Sequence, residues 1–343
     1  MTGQLLKLAE HAFCSRKRLV APLLGLPGVR LVGTTVKHAQ RDPLTHARVL
    51  VSLFEAFSPD VLFPLMDLAV EAHALGRTTT FPANEPPTVH TTPLLPSELD
   101  ALSVIDIRLD RRAQGYCETI RQMLGRLPPS VTLGSYVTGP YTLAALMMGA
   151  EDAAIATKLR TDELQAVLTL ARSVIESYMQ MHIDAGTQAV CILEPSAVML
   201  GPKEFERFSA DHIAWLRARS DCRGVPSILH VCGGSMHLID QMVATQVDGL
   251  SLDSSDAGVD LEHVLERVPP EVVVLGNISP TSTMLSGNPE DVRCAIQDLG
   301  HRLRDHVNFI LSTGCDLPLD TPLENIRAFM ASGRRLTRAV STS

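Results

Sequence analysis

Ser227-Ile228-Leu229-His230-Val231-Cys232-Gly233-Gly234 is a short apolar run that opens into glycines. It reads as a buried strand ending in a loop. Residues two apart on a strand point to the same face. His230 and Cys232 therefore project together, one from each side of Val231, where the strand gives way to the loop. An imidazole beside a thiolate is a ligand pair that zinc prefers. Two ligands are too few for a site. A second stretch, Val307-Asn308-Phe309-Ile310-Leu311-Ser312, has the same form and runs into Thr313-Gly314-Cys315-Asp316. Cys315 then offers a third ligand, and one His with two Cys and an open fourth position is a catalytic zinc arrangement. The plain alternative is structural, because buried free cysteines and satisfied core histidines are common.

Working outward, the same strand-then-helix pattern repeats. Strands are expected at Arg18 to Leu24, Asp60 to Leu65, Val131 to Val137, Gln188 to Leu193, Pro226 to Val231, Gly249 to Leu252, Val272 to Leu275 and Asn308 to Leu311. Helices are expected between them. Asp42-Pro43 opens one that runs through Phe57, with Asp as N-cap and Pro at the first helical position. Asp67 to Leu75 stops at Gly76. Further helices span Leu109 to Leu127, Tyr141 to Met148, Asp162 to Asp184 (Thr161 as N-cap), Pro202 to Arg217, Met236 to Val243, Val259 to Val268 and Pro289 to Leu303. Thr321-Pro322-Leu323-Glu324 is a capping box that starts the last helix. Thr2 to Cys14 reads as an amphipathic helix covering one end of the fold.

Strands alternating with helices imply parallel βα units. Their number favours an α/β fold of the (β/α)₈ TIM-barrel type, one domain over residues 1–343. It carries an N-terminal helical extension (1–17) and an insertion after the second strand (78–110). Thr78 to Pro96 is too rich in Thr and Pro for a regular helix, and Thr79 to Phe81 is a possible short strand in it. No Gly-x-Gly-x-x-Gly follows the first strand and no Walker motif occurs, so dinucleotide and nucleotide readings lose support. An open doubly wound sheet is the alternative fold. In a barrel the active site lies at the C-terminal ends of the strands. The polar residues that follow strands are Asp67, Glu194, His230, Cys232, Asp253, Asn277 and Cys315.

Composition sets the class. The chain has 343 residues, 45% hydrophobic and 20% charged, with net charge −8, enough for a full core. It has no basic stripe interleaved with aromatics, which argues against nucleic-acid binding. Seven scattered cysteines argue for a reducing compartment rather than a disulfide scaffold. The start of the chain lacks a signal-peptide pattern, and no apolar run reaches the length of a membrane span. The expectation is a soluble, cytoplasmic protein.

Several motifs then converge on a family. They are Met66-Asp67-Leu68-Ala69-Val70-Glu71-Ala72-His73-Ala74-Leu75-Gly76, Gly139-Pro140-Tyr141-Thr142-Leu143-Ala144, Leu229-His230-Val231-Cys232-Gly233, Leu275-Gly276-Asn277-Ile278-Ser279-Pro280, and Gly314-Cys315-Asp316 through Thr321-Pro322-Leu323-Glu324-Asn325. From Asp42 to Met330 the chain resembles the uroporphyrinogen decarboxylase superfamily, and within it the zinc-dependent methylcobamide:coenzyme M methyltransferases. The resemblance implies Zn²⁺ held by His230, Cys232 and Cys315. Together with their place at the strand ends, it makes Asp67, Glu194 and Asp253 the candidate catalytic residues and Gly233 and Asn277 the candidate cofactor contacts. It also implies a methyl donor, methylcobalamin or another methylcobamide carried by a corrinoid protein, and a small thiol such as coenzyme M as acceptor. In that chemistry a thiolate attacks the cobalt-bound methyl and Co(I) leaves. Glu194 falls where the branch usually shows an Asp. A decarboxylase carries an arginine-rich loop after its first strand, whereas Leu24-Gly25-Leu26-Pro27-Gly28-Val29-Arg30 has one Arg. Asp67 matches that enzyme's key aspartate and so does not discriminate. A decarboxylase acting on a tetrapyrrole and a corrinoid carrier without turnover are the competing readings. A structural zinc site would need a fourth ligand, from Glu194 or Asp253.

Overall fold

Seven strands pair in parallel in the computed structural model, which describes residues 4–91, 94 and 98–336. They are β1 (Val61–Leu62), β4 (Thr132–Thr138), β5 (Ala189–Leu193), β6 (Ser227–Val231), β7 (Gly249–Leu252), β8 (Val273–Ile278) and β9 (Phe309–Thr313), adjacent in that order. The expected first strand, Arg18 to Leu24, contracts to a parallel bridge between Val20 and Leu311. Ala21 N–H donates to the Leu311 carbonyl, and Asp60 N–H donates to that of Val20. This segment joins β9 to the start of β1 and closes the sheet on itself. Pro22 explains the contraction, since it has no N–H to continue a ladder. Pro64 likewise cuts β1 short of the expected Leu65. The result is a TIM-barrel-like fold with eight strand positions.

Every strand residue in this ladder is buried. Two packed layers result. Inside the barrel, Val61, Phe63, Tyr136, Cys191, Leu193, Ile228, Val273, Leu275 and Ile310 form one cluster. Leu5, Leu6 and Ala9 join it from the helix Gln4–Cys14. Ile228, Val273 and Ile310 sit near the start of their strands, so this helix plugs the N-terminal end of the barrel, as its amphipathic pattern leads one to expect. The outer cluster lies between the sheet and the surrounding helices.

The excursion at 78–110 contains an antiparallel hairpin, β2 (Thr79–Thr80) with β3 (Thr88–Val89), and the helix Leu99–Ser103. Residues 92, 93 and 95–97 of that expected insertion lie outside the described residues, as do residues 1–3 of the expected extension and 337–343 at the end of the chain.

Local start signals held where the side chain reached an open N–H. Asp42 caps Pro43–Phe57 by accepting from Thr45 N–H. Two others need correction. The long helix Thr161–Ala185 takes Arg160, not Thr161, as its N-cap, with no side-chain cap. The last helix, Leu323–Gly333, starts after Pro322 without a side-chain cap. Thr321 is buried with its hydroxyl unpaired, and Glu324 turns outward to Arg327. The helix Ala150–Leu159 was not expected. Gly149, at φ +100°, separates it from Pro140–Met148.

Candidate metal centre at the barrel mouth

The β6 ladder decides where His230 points. His230 pairs in register with Leu193 of β5 and Ser251 of β7, and shares the barrel-facing side with Ile228. Its ring is buried. Nδ1 lies 3.0 Å from Ser251 Oγ, and Nε2 lies 2.9 Å from Cys232 Sγ. Cys315, two residues beyond β9, brings its Sγ to 3.0 Å from Cys232 Sγ and 3.6 Å from His230 Nε2. Residues 230, 232 and 315 are thus brought together across 85 positions of chain, with all three ligand atoms within 4.8 Å of one another.

The donor chemistry fits a zinc ion. Tetrahedral coordination at the usual Zn–N and Zn–S lengths separates donor atoms by about 3.5–3.8 Å, a spreading of less than an ångström from the distances here. Charge gives the same answer. Hydrogen bonds from Cys232 and His230 hold the Cys315 thiol well below its ordinary range. The hydrogen bond to Cys315 and burial push the Cys232 thiol up. A cation is what lets both sulfurs be thiolates at once.

No fourth protein donor joins the three among the described residues. Glu194 is fully buried, but its carboxylate accepts from Tyr141 N–H at 2.8 Å, Thr142 N–H at 3.2 Å and Ser209 Oγ at 2.9 Å. It closes the N-terminus of the helix Pro140–Met148. Gly139 is required beside it, because a Cβ there would stand 1.7 Å from Glu194 Oε2. Burial pushes the Glu194 carboxyl up to about 7 against these three donors.

Asp253 accepts from Gly233 N–H at 2.8 Å and from Ser254 N–H at 2.6 Å. Gly233 thus spends its N–H on the loop that follows Cys232. Asn277 donates to the carbonyls of Asp253 (2.9 Å) and Val259 (3.0 Å). It also lines a cavity of about 400 Å³ with Asp256, Val259, Asp298 and Arg302. That cavity contains none of the three ligands.

Asp67 lies five residues beyond β1 and turns toward the helix Arg111–Met123. It is ion-paired with Arg112 and accepts from Tyr116 Oη at 2.9 Å and Ala69 N–H at 2.9 Å. The Arg112 and Arg41 guanidiniums stack on the Phe81 ring, 4.7 and 4.3 Å from its centroid. Arg30, the single arginine of the 24–30 loop, donates to the carbonyls of Leu319 and Thr321.

Three neighbours of the site escaped the sequence reading. Ser251 holds the His230 ring. Tyr136 is buried, with its hydroxyl pushed well above its ordinary range by burial, then by Asp316 and by Cys191, Cys315 and Cys232. Asp316 is pushed up by burial and by Cys315. Ser251 carried a readable signal. In Gly249-Leu250-Ser251-Leu252-Asp253 the period of two puts Ser251 on the same face as Asp253.

Comparison with known proteins places this geometry in a family. The uroporphyrinogen decarboxylase (URO-D) family model matches residues 28–336. Similar curated proteins include the uroporphyrinogen decarboxylase of Prochlorococcus marinus, 25% identical over 313 residues, covering 88% of this chain and 87% of the relative. Another is that of Burkholderia pseudomallei, 26% identical over 316 residues, covering 88% and 84%. Among solved structures, a methyltransferase from Methanosarcina mazei superposes with a TM-score of 0.84 at 20% identity, covering 96% of this chain and 98% of that one. A putative vitamin-B12 independent methionine synthase from Listeria monocytogenes gives 0.59 at 11% identity, covering 92% and 95%. These structural likenesses are likenesses of fold. The family model spans nearly the whole barrel and both cysteine loops, and the chain belongs to the uroporphyrinogen decarboxylase family.

Proposed function

We propose that the chain is a zinc-dependent methyltransferase. It moves a methyl group from a methylated corrinoid, methylcobalamin or another methylcobamide delivered by a corrinoid protein, to a small thiol such as coenzyme M. The observation that carries this reading is the convergence of His230 Nε2, Cys232 Sγ and Cys315 Sγ with no fourth protein donor among the described residues. A structural zinc site is closed by four protein ligands, and a catalytic one keeps a position open. The two carboxylates that might have closed it, Glu194 and Asp253, spend their oxygens on backbone and hydroxyl donors.

Zinc bound there would supply the means to hold a small thiol, ordinarily of pKa about 8.5, as a thiolate at neutral pH. The chain's own residues do the rest. Two thiolates and a neutral imidazole cancel the ion's charge, so an added thiolate stays electron-rich. Ser251 Oγ, 3.0 Å from Nδ1, orients the ring so that Nε2 faces the sulfurs. Cys232 and Cys315 are half-buried while His230 is buried, so a substrate approaches from the sulfur side.

A decarboxylase acting on a tetrapyrrole is the second reading, favoured by the names of the curated relatives. Its substrate carries several carboxylates, and such groups are held by paired cations. Here Arg30 is committed to main-chain carbonyls, and Asp67 is neutralised by Arg112.

The test is metal analysis of protein purified without chelator, followed by demethylation of free methylcobalamin with coenzyme M as acceptor. The expected result is about one zinc per chain and loss of the methyl–cobalt absorbance. Zinc-free protein that releases carbon dioxide from a porphyrinogen would establish the second reading instead. Tight binding of cobalamin with no turnover of any thiol would make the chain a carrier.

A further inference from the structure

The three sulfur and imidazole donors come from the ends of β6 and β9. The strand adjoining β6 on the side toward β9, β7, supplies none of them. Yet the hydrogen bonds that hold the donors start there. Ser251 stands opposite His230 in the β6–β7 register, and its Oγ is 3.0 Å from Nδ1. With a metal on Nε2, Nδ1 would carry the proton and donate to Ser251 Oγ. Two residues on, Asp253 projects from the same side. Its Oδ2 accepts from Gly233 N–H, the residue after Cys232. Its Oδ1 lies against Gly314, the residue before Cys315, where a Cβ would come within 3.0 Å of Oδ1 and 2.5 Å of Ser254 N. Asn277 on β8 ties down the Asp253 carbonyl from behind.

We propose that β7 sets the geometry of the metal centre, with Ser251 a positioning residue for His230 and Asp253 a positioning residue for the two loops that bear Cys232 and Cys315. The inference rests on reading the three donors as a metal centre. A ligand whose ring or loop is fixed in advance gives up less freedom when the metal binds, and partners of this kind are worth about 10–100-fold in affinity. Asp253, expected from the sequence to act in catalysis, is assigned here to holding the loops.

The experiment measures Zn²⁺ affinity by competition with a chromophoric chelator, and the ligand-field spectrum of the Co²⁺-substituted protein, for wild type, Ser251→Ala, Ser251→Thr and Asp253→Asn. Ser251→Ala is expected to weaken Zn²⁺ about 10–100-fold and to shift the Co²⁺ bands. Ser251→Thr, which keeps the hydroxyl, is expected to restore both. Asp253→Asn, which keeps one acceptor oxygen, is expected to weaken Zn²⁺ and broaden the thiolate-to-cobalt charge-transfer band. Wild-type affinity and spectrum in both Ser251→Ala and Asp253→Asn would overturn this inference and leave the metal centre standing. Failure of the wild type itself to take up Zn²⁺ or Co²⁺ would overturn the metal centre, and this inference with it.

Discussion

Two regions at the barrel mouth bury polar groups in opposite ways. Beyond β1, Asp67 is matched by protein alone. Arg112, Tyr116 and Ala69 supply its donors, and the side chain of Arg112 is nearly as buried as its own. Beyond β6 and β9, an imidazole and two thiols crowd together with only one another as close partners at the sulfurs among the described residues. A buried polar group costs stability unless it is paired. The first region is paired from within. The second, in the function proposed above, is left for a ligand to complete. Glu194 belongs with the first kind, although its place in the sequence beside the site gave it the look of the second.

Cys315→Ser tests that contrast most severely. It should abolish metal binding and thiol methylation together while moving the unfolding free energy of the metal-free protein by less than about 1 kcal/mol. A variant that holds no zinc yet methylates coenzyme M at the wild-type rate would break the functional half of the comparison.

Asp67→Ala should show the reverse. It strands the Arg112 guanidinium and should cost about 3–5 kcal/mol in urea denaturation, with the zinc content of the folded fraction unchanged. Replacing both partners, Asp67→Leu with Arg112→Met, should recover most of that loss. Should the single variant unfold at the wild-type midpoint, the pair is not structural.

The smallest effect concerns Glu194, through pH. Its folded-state value, about 7, lies above the ordinary 4.5, so the folded protein binds more protons than the unfolded chain between those values. Its contribution to stability is therefore greatest below about pH 4.5 and is lost as pH rises to about 7. Glu71 behaves alike, pushed up to about 7 by burial. Both carboxylates grip one turn, Glu71 at Thr138 and Glu194 at Tyr141 and Thr142. Glu194→Gln should flatten, though not erase, the fall of stability with pH across that window. An unchanged slope would place Glu194 among the ordinary solvated carboxylates.

Much of the fold was legible because it rests on local rules. Apolar runs of four to seven residues, spaced by amphipathic helices, mark parallel βα units, and proline marks where a ladder stops. The errors were local too. Thr161 and the Thr321–Glu324 box have cap-forming side chains, but the backbone entered those helices one residue away from where the pattern placed it. The His230, Cys232 and Cys315 cluster was readable because the residue types are rare in combination and because a period of two fixes which way His230 and Cys232 point.

Sequence alone thus determined the strand order, the barrel, the family and the pairing of His230 and Cys232 with Cys315 as one candidate cluster, since each is encoded in short-range pattern or residue identity. Only the tertiary structure decided what the carboxylates do. Asp67, Glu194 and Asp253 all follow strands and all looked alike as catalytic acids. Which donors stand within about 3 Å of each oxygen depends on helices and loops dozens of residues away. Those donors committed Asp67 to Arg112, Glu194 to a helix N-terminus and Asp253 to the cysteine loops.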